Sequence, residues 1–247
     1  MSVYDEPLSS VRRRWSRIIT ASAALAVVAL VALVIISFIR FPATPVQQAK
    51  RDEGRSLREI ARQPTFVVAA LTGALSYGVM NLLMAATPLA MQVCGLSFEN
   101  TALVLQWHVI GMFAPGFFTG HLIKRFGTLQ IMAVGAVLNF VCILIALSGI
   151  ELHQFLWSSF LLGVGWNFLF TGSTTLSLST YRPAEKDKAQ AALNFCIFGT
   201  MAVTSFASGA LVTTQGWTWL NEGSFAPVII MSLAMLWLWR VRRSTPA

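Results

Sequence analysis

Apolar and polar positions alternate along this chain in long blocks. Seven apolar stretches, at roughly 18–39, 66–91, 101–122, 128–149, 155–180, 189–213 and 223–239, contain no Asp, Glu, Lys or Arg. Crossing the hydrocarbon of a bilayer takes about 20 apolar residues in a helix, and most of the stretches meet that length. The runs are continuous, without the period-two alternation of barrel strands, so helices are expected. The pattern predicts an all-α integral membrane protein, a helical bundle of about seven spans. It divides into a basic segment 1–17, a first helix 18–39, a linker 40–64, a six-helix body 65–240 and a tail 241–247. A short amphipathic helix is expected around 56–61 in the linker.

Composition agrees with the pattern. Hydrophobic residues make up 55% of the 247 and charged residues 11%, outside the balance of ordinary soluble domains. The net charge of +8 raises nucleic acid as a partner, but its placement excludes that reading. Six Lys and Arg lie in the first connection, two (Lys124, Arg125) in the third, three (Arg182, Lys186, Lys188) in the fifth and three (Arg240, Arg242, Arg243) in the tail. The second, fourth and sixth connections carry none. Cytoplasmic loops are enriched in Lys and Arg, so the last six helices are expected to start and finish in the cytoplasm, in the inner membrane. The remaining four, Arg12, Arg13, Arg14 and Arg17, precede the first helix and prefer the side that the six later helices deny it. Either that helix is held against its charge, or it is not a true span. Its apolar run is too long for a cleavable signal, and no clear small-residue cleavage site follows.

The six-helix body reads as two related triplets. Asn81 and Asn167 occupy matched places in the first helix of each, followed by bulky and then small or hydroxylated residues. In the second helix of each, Phe117, Gly120, Leu122 and Gly127 recur at identical spacing as Phe206, Gly209, Leu211 and Gly216, and Met112 matches Met201. Three helices per unit make the copies face opposite ways. Lys124 and Arg125 in one copy are Thr213 and Thr214 in the other, as inverted topology demands. Inverted three-helix repeats build many secondary transporters, with substrate sites near mid-membrane at the repeat interface.

On these residues the chain resembles the C-terminal half of the major facilitator superfamily, transporters of twelve helices in two six-helix halves. Gly120, Lys124, Arg125 and Gly127 are similar to the family's cytoplasmic loop signature as echoed between its eighth and ninth helices. The segments around Tyr77–Pro88, Gln106–His108 and Gly163–Phe168 look like those of a bacterial branch, and the resemblance covers about 58–243. It implies alternating access around a midplane cavity lined by Asn81, His108, Trp166 and Asn167. It also implies a second six-helix half, because one half encloses only one wall: a further copy, a separately encoded chain, or one lost if the gene is truncated. Two departures stand out. Lys124 occupies a place that is acidic in the family's first-half signature, and Asn194 one that the branch favours as acidic.

The intramembrane polar residues that are candidates for function are few: Asn81, Gln106, His108, Asn139, Trp166, Asn167, Thr171, Ser173, Thr174, Thr175 and Asn194. Each Asn either bonds a solute or bonds a neighbouring helix. Apart from cysteine and tyrosine, His108 is the one ionisable side chain in the interior of the spans, His121 being interfacial at a cytoplasmic helix end; this makes His108 the proton-coupling candidate, with a structural hydrogen bond as the alternative. All ten acidic residues lie outside the apolar stretches. Gly116/Gly120 and Ser205/Gly209 are small-residue pairs expected to let helices approach, and Pro88 and Pro115 favour kinks. Lys124 and Arg125 are topology anchors, or latch a gate by pairing with Glu185 or Asp187. The three cysteines, Cys94, Cys142 and Cys196, have no metal-type spacing and read as free thiols. No catalytic constellation, metal cluster or cofactor motif is present in the sequence. The expected function is a secondary transporter, or half of one, for a small solute. A truncated or non-transporting subunit that binds other helices is the alternative.

Overall fold

The computed structural model describes residues 8–38 and 54–244, in two units divided near position 51. In the first unit a single helix, α1, runs Leu8–Phe38. It begins ten residues before the predicted apolar stretch and carries the positions of Arg12, Arg13, Arg14 and Arg17 within it. Arginine is a good helix former, so the backbone has no reason to stop where the apolar run does. Its stretch Ala26–Phe38 is apolar. The segment 1–7, most of the linker and the last three residues of the tail lie outside the described residues.

The second unit holds a short helix α2 (Leu57–Ala61), then α3 (Pro64–Val93), α4 (Phe98–Phe113), α5 (Gly116–Phe126), α6 (Thr128–Leu147) and α7 (Leu152–Leu178). A 3-10 turn at Pro183–Glu185 leads into α8 (Lys186–Thr214) and α9 (Gly216–Ser244). Five of these helices are long and apolar enough to cross a membrane, and α4 with α5 makes a sixth, bent by 40°. The protein is therefore a multi-pass helical membrane protein. The last six expected spans agree with these except at their ends, while in the first expected span only Ala26–Phe38 stands out, as a shorter apolar helix. Ser56 and Ser97 cap α2 and α4 by accepting from the backbone N–H groups of Glu59 and Asn100. Glu151 and Gln154 form a capping box at the start of α7, which satisfies donors that a helix start leaves free.

The bend falls where the sequence placed a proline. Pro115 has no N–H for the carbonyl one turn back, so α4 ends at Phe113 and the chain re-enters a helix at Gly116. Two further intraspan prolines, Pro88 and Pro227, leave α3 and α9 continuous.

The ends of the helices alternate as the charges predicted. At one end Arg55 and Gln63 reach the α7–α8 connection at Thr180, and Arg242 reaches Thr65 at the start of α3. At the other end the Trp217 indole donates to the Ala146 carbonyl (3.2 Å) and packs on Phe155. Up-and-down threading puts Lys124, Arg125 and the basic end of α9 at the first of these ends.

The core is built on α7, which packs against α3, α4 and α6. Leu162, Leu169 and Leu176 on α7 share one buried cluster with Val79 and Leu83 of α3, Met132 and Ile143 of α6, and Met231 and Leu238 of α9. A helix apolar on every side belongs inside. By contrast α8 packs mainly on α3 and leaves Phe195, Phe198 and Phe206 exposed.

Only one member of each small-residue pair meets a neighbouring helix within the unit, Gly116 beside the Asn167 amide and Ser205 bonded to Asn81. A Cβ built at Gly120 or Gly209 would meet nothing within 4 Å, so those faces are open within this unit. The close approaches are elsewhere. A Cβ at Gly163 would lie 2.5 Å from the His108 carbonyl of α4, and one at Gly135 would lie 2.8 Å from the Gly165 carbonyl of α7. Spacing identified helices that could approach, but small-xxx-small spacing does not say which face turns inward.

Gly163→Val is therefore expected to force α4 and α7 apart and destabilise the unit by about 1–3 kcal/mol. Gly209→Val, on an open face, is expected to be within about 0.5 kcal/mol of the parent. Denaturant unfolding in mixed micelles separates the two; equal losses would contradict this packing.

Candidate functional site

The two asparagines matched in the triplets make the same bond. Asn81 Nδ2 on α3 donates to the Met201 carbonyl of α8 (3.3 Å), and Asn167 Nδ2 on α7 donates to the Met112 carbonyl of α4 (2.7 Å). Met201 and Met112 are themselves matched in sequence. Each triplet thus sends its middle helix across to the first helix of the other, where a side-chain amide holds it. The junction after each middle helix also repeats. Gly127 and Gly216 take positive φ, 97° and 84°, a conformation open to glycine at no steric penalty.

The copies differ in what else the amides do. Asn167 is buried, and its Oδ1 accepts from the Thr119 hydroxyl of α5 (2.7 Å). Its amide therefore bridges both sides of the α4–α5 break and supplies a donor to a carbonyl near the end of α4. Asn81 is half-buried, and its Nδ2 also lies within reach of the hydroxyls of Thr204 (3.1 Å) and Ser205 (2.8 Å). Its carbonyl oxygen takes no part in these bonds.

His108 is 1% exposed, between α4 and α7. Its Nδ1 lies 2.7 Å from the Ser159 carbonyl, which makes Nδ1 the protonated nitrogen of the neutral ring. Nε2 is buried without a hydrogen-bond partner. Asn139 presses against Gly165, and neither atom of its amide has a partner; nothing in the structure explains that burial. Thr171 is half-buried, its carbonyl accepting from the hydroxyls of Thr174 and Thr175. Asn194 is exposed on α8.

A feature missed in the sequence joins α3, α7 and α8. Trp166 stacks on Phe170 (5.0 Å between ring centroids, 11° between planes). Tyr77 stands edge-on to both, at 5.5 and 5.6 Å, and Phe198 of α8 stands 6.3 Å from Tyr77. The cluster runs from Trp166, 7% exposed, to Phe198, 55% exposed. Beside it, the Trp166 Nε1 donor and the hydroxyls of Thr72 and Ser173 are buried without partners. Unmet polar groups of this kind are costly in hydrocarbon. The signal was available: Tyr77 lies four residues before Asn81 and Trp166 four before Phe170, so each pair shares a helix face.

At the basic end the carboxylate of Glu185 pairs with Arg55 rather than with Lys124 or Arg125. Arg55 Nη2 lies 2.7 Å from Oε2 and Arg55 Nε 3.0 Å from Oε1. The N–H groups of Arg55 and Arg182 donate to the same carboxylate at 2.7 and 2.9 Å. This corrects the expected latch with Glu185: its oxygens are already held by the segment before α3, while the Arg125 guanidinium lies over the Phe126 ring.

Six spanning helices in two interlocked triplets, with faces of α5 and α8 left open, define one half of a bundle made from inverted repeats. The chain belongs to the major facilitator superfamily and carries its C-terminal half; the family model matches residues 73–247. It is 44% identical over 188 residues to the riboflavin transporter RfnT of Brucella anthropi, covering 76% of this chain and 47% of that one. It is 27% identical over 176 residues to the uncharacterized transporter YddS of Bacillus subtilis, covering 70% and 40%. The chain spans less than half the length of these relatives.

Asn167→Leu strands the Met112 carbonyl in apolar surroundings and is expected to cost about 1–3 kcal/mol. Asn81→Leu, at a longer bond in a less buried place, is expected to cost about 1 kcal/mol or less. Unfolding titrations that reverse this order would contradict the assignment. Glu185→Gln is expected to speed amide exchange across residues 55–63 at neutral pH while leaving α7 unchanged. Unaltered exchange there would show that the ion pair does not hold the segment.

Proposed function

We propose that this six-helix unit forms one wall of a transport path for a planar aromatic solute of the riboflavin kind, moved by alternating access. The observation that carries the reading is the aromatic cluster of Tyr77, Trp166, Phe170 and Phe198, graded from buried to exposed. Offset and edge-on rings contribute about 0.5–1.5 kcal/mol per pair beyond burial, and a flat fused-ring solute takes that geometry. The Trp166 indole N–H and the Asn81 carbonyl oxygen add a donor and an acceptor beside the rings. Similarity to a riboflavin transporter supports the solute class. In this reading Asn167 and His108 act as struts that hold α7 to α4 and α5, and Thr171 and Asn194 line the approach along α7 and α8.

The second wall comes from another six-helix half. It covers the open faces of α5 and α8, where Phe117 and Phe206 are 87% and 86% exposed and Gly120 and Gly209 leave room for close approach. The basic end faces the cytoplasm by the rule that relates Lys and Arg to the inner side.

Riboflavin fluorescence is expected to be quenched on binding to the full chain in membranes. Phe198→Ala and Trp166→Ala are each expected to weaken that binding about tenfold, the equivalent of 1.4 kcal/mol. Phe198 is exposed, so its variant tests the site without endangering the fold. Parent and variants with the same affinity would overturn the assignment.

A further inference from the structure

A second concave feature lies on a different side of the unit. Between α6 and α9 runs a groove of about 420 Å³, walled by Ala133, Val137 and Phe140 on one helix and Met235, Leu236 and Trp239 on the other. It extends along α6 from Leu129 to Phe140. At 1.5 Å per residue that is roughly 16 Å, about half of the 30 Å hydrocarbon thickness, or one leaflet. The polar side chains on its wall are Gln130, near the end where α6 begins, and Ser232.

That end is basic. The Arg243 guanidinium sits 3.7 Å over the Trp239 ring, so a groove wall residue directly holds a cation at the mouth. Arg240 is exposed one residue beyond Trp239, and Lys124 and Arg125 immediately precede the α5–α6 junction. α6 contains no acidic residue, and α9 contains only Glu222, near its opposite end.

We infer that this groove holds one acyl chain of an anionic phospholipid, with the headgroup phosphate against Arg240 and Arg243. The groove's length matches one leaflet, which argues for a lipid tail over a helix that crosses both. The cations at its mouth select an anionic headgroup. Trp239 joins the two parts, its ring facing the tail on one side and carrying the guanidinium on the other. Aromatic and basic anchors at a membrane interface suit that position.

The test is native mass spectrometry of the delipidated full chain in neutral detergent. The probes are dioleoylphosphatidylglycerol, dioleoylphosphatidylcholine and soluble glycerophosphoglycerol. Phosphatidylglycerol is expected to be retained at least fivefold over phosphatidylcholine, and the soluble headgroup not at all. The double variant Arg240→Gln/Arg243→Gln is expected to bring phosphatidylglycerol down to the phosphatidylcholine level. Ala133→Trp or Val137→Phe, which fill the groove and leave the arginines, are expected to lower phosphatidylglycerol retention by a similar factor.

Equal retention of the two lipids overturns the proposal. So does unchanged retention in both groove-filling variants, which would leave only diffuse attraction to basic residues. A benzophenone side chain placed at Ala133 is expected to cross-link to lipid in membranes. Cross-linking instead to α1 or to a second copy would show that a helix occupies the groove, and would also overturn it.

Discussion

A side-chain amide in hydrocarbon must find a partner or carry a penalty of several kcal/mol. Asn81 and Asn167 each meet that demand on a main-chain carbonyl of the opposite triplet. Everything else about the six-helix unit follows from this exchange. Neither triplet is a self-contained bundle, because its middle helix packs on the first helix of the other. The pair of bonds relates the halves by an approximate twofold, and the helices α3 and α7 that carry the amides lie in contact with each other.

The symmetry is broken where it has consequences. The Asn167 copy faces a helix interrupted before Gly116, and its amide serves both sides of the interruption. The Asn81 copy faces an unbroken α8, and its amide meets hydroxyls in a less buried setting. In one copy the α4 and α7 glycines approach backbone to backbone; in the other Gly78 of α3 meets the Thr200 side chain of α8, and the seam adjoins the exposed aromatic rings.

Much of this was legible in the sequence, and the reason differs by feature. The spans followed from uninterrupted apolar length, and threading from the placement of Lys and Arg, because both are set by the bilayer itself. The Asn–Met correspondence was visible as an internal match before any contact was known, and the structure turned matched letters into matched bonds. The glycines at 127 and 216 were likewise paired by spacing, and both take positive φ at their junctions. What the spacing left open was which small residues form the tight seams within the unit. Gly116/Gly120 and Ser205/Gly209 carry the small-residue spacing, yet the tight seams formed at Gly111, Gly163, Gly135 and Gly165. In α7 apolar residues surround the helix, so no moment marks an inner side. The partner of Glu185 was also out of reach: Arg55 is 130 residues away, and only the closed bundle brings the segment before α3 to the α7–α8 turn. The aromatic cluster was missed because its four rings come from three helices.

The most direct measurement is disulfide formation in native membranes with both members of each contact replaced by cysteine: Asn81 with Ser205, and Thr119 with Asn167. The peptides joined are identified by mass spectrometry against the background of Cys94, Cys142 and Cys196. The interlocked arrangement predicts that both pairs close readily, linking α3 to α8 and α5 to α7. Failure of both, with linkage confined to helices adjacent in sequence, would contradict the exchange of middle helices on which the fold rests.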